Sequence, residues 1–139
     1  MLKRPPYLCT NSVTFAEKPA SPDEVAIADL IKEFHRALVT KDIDATLALF
    51  IPNAEMRSVR YGWSARLDKK FYAKHFYGLE TVSIENIFIR VTGPSEAFAS
   101  HDLILRYSGG VVKYNERRVW TFKKISGTWR IAAIELDNT

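Results

Sequence analysis

At Leu79 the spacing of apolar residues changes from three and four to two, and that change constrains the fold more than any other feature of the chain. Upstream, Ile27, Leu30, Ile31, Phe34 and Leu38 recur as one stripe of a helix. Downstream, β-branched and aromatic residues fill four runs, near 81–91, 97–107, 111–124 and 128–136, with Gly93-Pro94, Gly109-Gly110 and Ser126-Gly127 between them. Short turns of that kind join antiparallel neighbours, so the second half reads as a four-strand meander. Helices first and a meander last define an α+β chain. Its 139 residues, 47% of them hydrophobic, suffice for a single core and leave no room for a second domain.

Local signals divide the first half. Ser21-Pro22-Asp23-Glu24 is a helix start, with Ser21 able to cap, Pro22 suited to the first turn and Glu24 placed to complete a capping box. The stripe that follows predicts a helix to about residue 40. Asp42 can cap a second helix through Ile43, Leu47 and Phe50, which Pro52 ends. A strand is expected over 54–61, a loop through Gly62-Trp63-Ser64, and a third helix over 68–77 with Gly78 as its stop. In the first run of the meander the apolar phase shifts between Ile84 and Ile87, which predicts a bulge near Glu85-Asn86 and a bent sheet. Three helices packed in the concave face of a curved, mainly antiparallel sheet make a cone with a pocket. Residues 1–21 read as an irregular arm and 22–139 as the domain. The arm carries Lys3 and Arg4, but Pro5-Pro6 interrupts it where a secretory signal needs an apolar stretch of about 7–15 residues. With no run of apolar residues long enough to span a membrane, the expected setting is intracellular.

The helix-turn-helix LVTKDIDATLALF followed by the strand AEMRSV, and the terminal hairpin RRVWTFKKISGTWRI, resemble the nuclear transport factor 2-like superfamily of cystatin-like α+β cones over residues 22–137. Within it, Phe71-Tyr72 on the third helix, LILRYSGG and NERRVW are most similar to the association domain of calcium/calmodulin-dependent protein kinase II, with SnoaL-like polyketide cyclases as neighbours. That superfamily hosts both enzymes and oligomerisation modules, so site residues have to choose between them. Ketosteroid isomerases of this fold use a tyrosine on the first helix and an aspartate on the first strand. The matching positions here are Phe34 and Ser58, which supply neither an oxyanion donor nor a base near neutral pH. In the kinase association domain two strand arginines face the pocket, and Arg106 and Arg118 match them; a third falls near Leu136 and is missing. The resemblance therefore implies a small carboxylate held by Arg106 and Arg118 beside Trp120, with Asp102 and Phe34 in the same pocket. Arginine's planar fork suits paired oxygens. The alternative is that Asp102 and Glu116 neutralise the arginines in a structural network.

Register decides between these. Strand alternation sets Phe98, Ser100, Asp102, Ile104 and Arg106 on one face, and His101, Leu103, Leu105 and Tyr107 on the other, away from the pocket. A two-residue turn at Gly109-Gly110 points Arg118 away from Arg106, whereas a three-residue loop or a bulge brings them together. The runner-up function is a cofactor-independent lyase, isomerase or cyclase with His75 and Asp102 as acid and base, against the simpler view of His75 as a satisfied histidine at a helix end.

No metal-ligand spacing, nucleophile elbow, phosphate loop or dinucleotide fingerprint occurs, so neither metal nor cofactor is expected. Arg57, Arg60, Arg66, Lys69, Lys70 and Lys74, interleaved with Tyr61, Trp63 and Phe71, have the composition of a nucleic-acid surface, but on a loop and helix they read more simply as a solvated face. Nucleic acid and membrane are not expected partners. A face carrying Leu103, Leu105, Tyr107, Val119, Thr121, Ile131 and Ala133 looks apolar and opposite the helices, which predicts a homodimer packed sheet to sheet.

Overall fold

The computed structural model describes residues 11–58 and 60–136, residues 114–117 by their backbone only. Seven strands form one sheet: β1 (Ser12–Phe15), β2 (Phe50–Ser58), β3 (Trp63–Arg66), β4 (Leu79–Gly93), β5 (Glu96–Tyr107), β6 (Val112–Ile125) and β7 (Thr128–Leu136). Their order is β1-β4-β5-β6-β7-β2-β3. The β4 to β7 meander is antiparallel, while β1 joins β4 and β2 joins β7 in parallel. Three helices, α1 (Pro22–Thr40), α2 (Ile43–Leu47) and α3 (Lys69–Phe76), complete the α+β architecture.

The helix starts follow their caps. The Ser21 side chain accepts from the Glu24 amide at 3.1 Å while Glu24 reaches back to the Ser21 amide, also at 3.1 Å. Asp42 and Asp68 cap α2 and α3 in the same way. Asp23, one residue into α1, accepts from Trp129 Nε1 at 3.0 Å and from Lys124 Nζ at 3.2 Å, which pins the start of α1 to the β6–β7 hairpin. The Trp129 bond, then Lys124, holds the Asp23 carboxyl below its usual range. From that anchor α1 lays Ile27, Ile31, Phe34 and Leu38 onto the sheet, where they join Ile84, Ile87, Trp120, Phe122, Ile131 and Ile134 in one core.

The sheet bends where expected. Pairing slips between Glu85 and Phe88, and Asn86 takes φ +57°. Gly78, at φ +74°, makes the tight turn from α3 into β4; its carbonyl accepts from the Ser108 amide at 2.7 Å, and an added Cβ would lie 2.9 Å from Ser108 Oγ. That contact ties the end of α3 to the β5–β6 loop and so fixes the rim of the cone.

Three strands depart from the expectation, the first being β2, which starts at Phe50 where the second helix was expected to continue and ends at Ser58. Residues 12–15 belong to the stretch read as an irregular arm, yet they form β1. Asn11 Oδ1 accepts from the Val82 amide and Ser12 Oγ meets Ser83 Oγ at 3.1 Å, so backbone and polar contacts hold a strand too short to show a pattern. Residues 63–66, read as a loop, pair with β2 as β3 for the same reason. The first ten residues of the expected arm, Cys9 among them, lie outside the described residues. No described helix is long and apolar enough to cross a membrane.

Candidate functional site: a cationic pocket in the cone

Between the helices and the concave face lies a cavity of about 50 Å³ with an open mouth. Phe34 and Leu38 of α1, Met56 of β2, and Phe71, Tyr72 and Phe76 of α3 form one wall; Leu103, Leu105 and Tyr107 of β5 and Trp120 of β6 form the other. The wall is aromatic and apolar, with one full charge set into it. That charge is Arg118. Its Nε is sealed from solvent without a hydrogen-bond partner, and no carboxylate pairs with it among the described residues; the side chain of Glu116, expected as a neutralising partner, lies outside them. The groups facing it are the phenols of Tyr72 and Tyr107, both pushed up by burial and therefore neutral. Burial lowers Arg118 itself to about 10, which still leaves it charged at neutral pH.

Two fully buried groups adjoin the half-buried Arg118. Trp120 Nε1 has no partner, and its ring meets His101 edge-on at 4.5 Å and Phe34 at 5.0 Å. His101, directly across the β5–β6 pair from Arg118, is 2% exposed with both ring nitrogens unpartnered. Burial first and the Arg118 charge second press its pKa down to about 3, with the Asp102 backbone pulling the other way. At the mouth, His75 stacks on Phe71 at 4.0 Å and its Nδ1 lies 2.9 Å from the Phe71 carbonyl. A carbonyl only accepts, so Nδ1 carries the proton and Nε2 is the free base. Burial lowers the His75 pKa, the Phe71 bond opposes this, and Lys113, Arg118 and Lys74 lower it further.

The sequence-predicted residues separate into two groups. Phe34, Arg118, Trp120 and His75 come together in the pocket. Arg106 and Asp102 do not: they lie on the outer face, where Arg106 Nε is 3.7 Å from Glu80 and Asp102 accepts from Asn86 Nδ2 at 3.1 Å. The expectation of a two-arginine clamp is corrected, as is that of an acid/base pair of His75 with Asp102, because the sheet stands between the members of each pair. The cause is two offsets that cancel. The loop through Ser108–Gly110 has three residues, so Arg106 pairs with Val112, which alone would align Arg118 with Arg106. A bulge between His101 and Leu103 then shifts the register back and sets Arg118 opposite His101.

The inner face of β5 is thus the one carrying Ala97, Ala99, His101, Leu103, Leu105 and Tyr107, the reverse of the expected assignment. A signal for this was present: the other face holds Asp102 and Arg106, and a face with two charges belongs outside. The face expected to be uniformly apolar is likewise split. Leu103, Leu105, Tyr107 and Ile131 point into the cone, while Val119 sits on the outer surface with Phe88, Arg90, Thr92, Phe98 and Ser100 around a groove of about 330 Å³. At the isomerase positions, Phe34 stacks on Phe50 with ring centres 5.9 Å apart, and Ser58 is buried, its Oγ accepting from the Tyr61 amide at 3.3 Å. His35 Nε2 lies 2.7 Å from the Val82 carbonyl. In the basic stretch, Arg57 pairs with Glu135 at 3.1 Å and Arg60 covers the Tyr61 ring at 5.4 Å. No group of three or more metal-ligating side chains occurs among the described residues.

No family model matches the chain, and no curated protein matches it in sequence. Solved structures do match in shape. A nuclear transport factor 2-like protein from Cytophaga hutchinsonii superposes with a TM-score of 0.68 at 16% identity, covering 84% of this chain and 97% of that one. The fold is the nuclear transport factor 2-like fold. The association domain of calcium/calmodulin-dependent protein kinase II from C. elegans is also similar, with a TM-score of 0.63, 12% identity and coverage of 81% and 93%. A protein of cystatin-like fold from Nostoc punctiforme has a TM-score of 0.58 at 19% identity, covering 88% and 97%. At these identities the likeness carries the fold, and within a nuclear transport factor 2-like cone the pocket residues carry everything more specific.

Proposed function

We propose that this chain is a small-anion-binding and self-associating domain of the nuclear transport factor 2-like fold, with no catalytic step assigned to it. The observation that carries the reading is Arg118, a guanidinium set in an aromatic pocket with no carboxylate beside it among the described residues. Arg118 is half-buried, its Nε sealed and without a partner, and an incoming carboxylate would offer its oxygens to that planar donor. The cavity of about 50 Å³ favours a short monoanion, whose apolar part would rest on Phe34, Leu103 and Leu105. Propionate is the probe. It should raise the unfolding temperature progressively with concentration, and the rise should vanish in Arg118→Gln. Equal stabilisation of wild type and Arg118→Gln would remove the reading.

Self-association is proposed through the outer face of the sheet. Phe88 is 45% exposed there, beside half-buried Phe98 and Val119, and sheet faces of this kind are commonly covered by a second copy. Sedimentation should give a dimer at micromolar concentration that Phe88→Glu dissociates; a wild-type monomer contradicts the proposal.

A further inference from the structure

We propose that an anion entering at Arg118 is taken up together with a proton on His101, so that the pocket holds its anion more tightly as the medium is acidified. The inference rests on the anion-binding reading and adds a regulation to that site. Its basis is placement. His101 and Arg118 face each other across the β5–β6 pair on the inner face, both ring nitrogens of His101 and Nε of Arg118 are buried without partners, and the Trp120 ring lies against His101.

Among the described residues, the groups of the pocket wall turned toward this pair are neutral or cationic. From α3 come Tyr72 and His75, from β5 Tyr107, and Lys113 stands near the mouth, 5.3 Å from the Tyr107 ring; α1 presents Phe34, and β4 presents Leu79. No carboxylate faces the pair among the described residues. A proton on His101 in the empty pocket would therefore sit, shut off from solvent, beside the positive charge of Arg118. A bound anion changes the sign of the local field. It offsets Arg118 and leaves burial as the main obstacle to protonation, so a proton from solvent enters with the anion and leaves with it. Linkage makes this reciprocal: if the anion favours the proton, the proton favours the anion by the same factor.

His75 is the rival proton acceptor. It stands at the mouth, and its free Nε2 titrates through bulk water, so the experiment has to tell the two histidines apart.

The probe is trifluoroacetate, whose carboxylate stays ionised throughout the range used. Its dissociation constant is measured on the full chain by calorimetry at pH 7 and pH 5, in pairs of buffers with different protonation enthalpies. The expected result is an affinity about threefold or more higher at pH 5, with net proton uptake, and no such gain in His101→Gln. In parallel, the ring signals of His101 in the wild-type protein are followed by NMR against pH, with and without saturating trifluoroacetate; the titration should move to higher pH when the anion is bound. That measurement decides the matter if His101→Gln does not fold. Arg118-dependent binding with equal affinity at both pH values overturns the inference and leaves the anion-binding reading standing. Uptake located at His75, or an unmoved His101 titration, overturns it equally. Absence of trifluoroacetate binding at any pH overturns both.

Discussion

Methionine in place of Arg118 is expected to raise the unfolding midpoint of the empty domain by about 3–6 °C while abolishing anion binding, a gain of ~1–2 kcal/mol read through the entropy of a domain this size. The Nε of Arg118 is sealed and unpartnered, no described carboxylate pairs with it, and the phenols that act on it, Tyr72 and Tyr107, are neutral. Replacing an ion pair by packed apolar groups is often neutral or stabilising; here no described residue supplies the other half of the pair, so the balance tilts further toward the apolar residue. Methionine keeps most of the side-chain length and can adapt to the aromatic wall. Stability and binding should therefore move in opposite directions, the signature of a residue kept for its ligand. Thermal melts with and without propionate measure both quantities. A lower midpoint for Arg118→Met would mean that the guanidinium supports the fold.

Trp120 offers the opposite case. It is fully buried in the middle of β6, paired with Ala99 on one side and Ile134 on the other, and its ring touches Phe34, Phe122 and His101. Truncation to alanine should cost ~3–5 kcal/mol in urea unfolding, since it removes the largest side chain of the core and opens a void continuous with the pocket. Trp120→Phe should cost less than about 1.5 kcal/mol: Nε1 has no partner to lose, and a smaller ring retains most of the contact. A large loss in the phenylalanine variant would show that Nε1 is bonded in solution, and would place an ordered water or ion beside Arg118.

How far the sequence revealed all this varies with the range of the forces involved. The caps Ser21, Asp42 and Asp68, the stripe along α1, the bulge at Asn86 and the meander were legible because each is a local matter of side-chain chemistry or period. The parallel strands β1 and β3's pairing with β2 were not, since four-residue segments at sheet edges are held by distant backbone groups. In the pocket, Arg118, Trp120, Phe34 and His75 were foreseen. Arg106 and Asp102 were assigned inward because a familial likeness outweighed the plain observation that a strand face bearing two charges seeks water. His101 was read onto the face away from the pocket as a consequence of the same inversion. Two one-residue offsets, in a loop and at a bulge, cannot be counted from hydrophobic alternation when both faces of β5 carry apolar residues.

Those two offsets have a consequence for how such a pocket can change. Side chains on a strand obey parity, so one residue gained or lost in the Ser108–Gly110 loop, with the bulge retained, would exchange the inner and outer residues of the upper half of β6. Arg118 would leave the cone and its neighbours in the chain would replace it, with no substitution at any position that touches the ligand. The charge of the cavity is thus written in chain length as much as in residue type. Among cones of this shape, the ones that share a ligand should share the parity of this hairpin even where their sequences share little else.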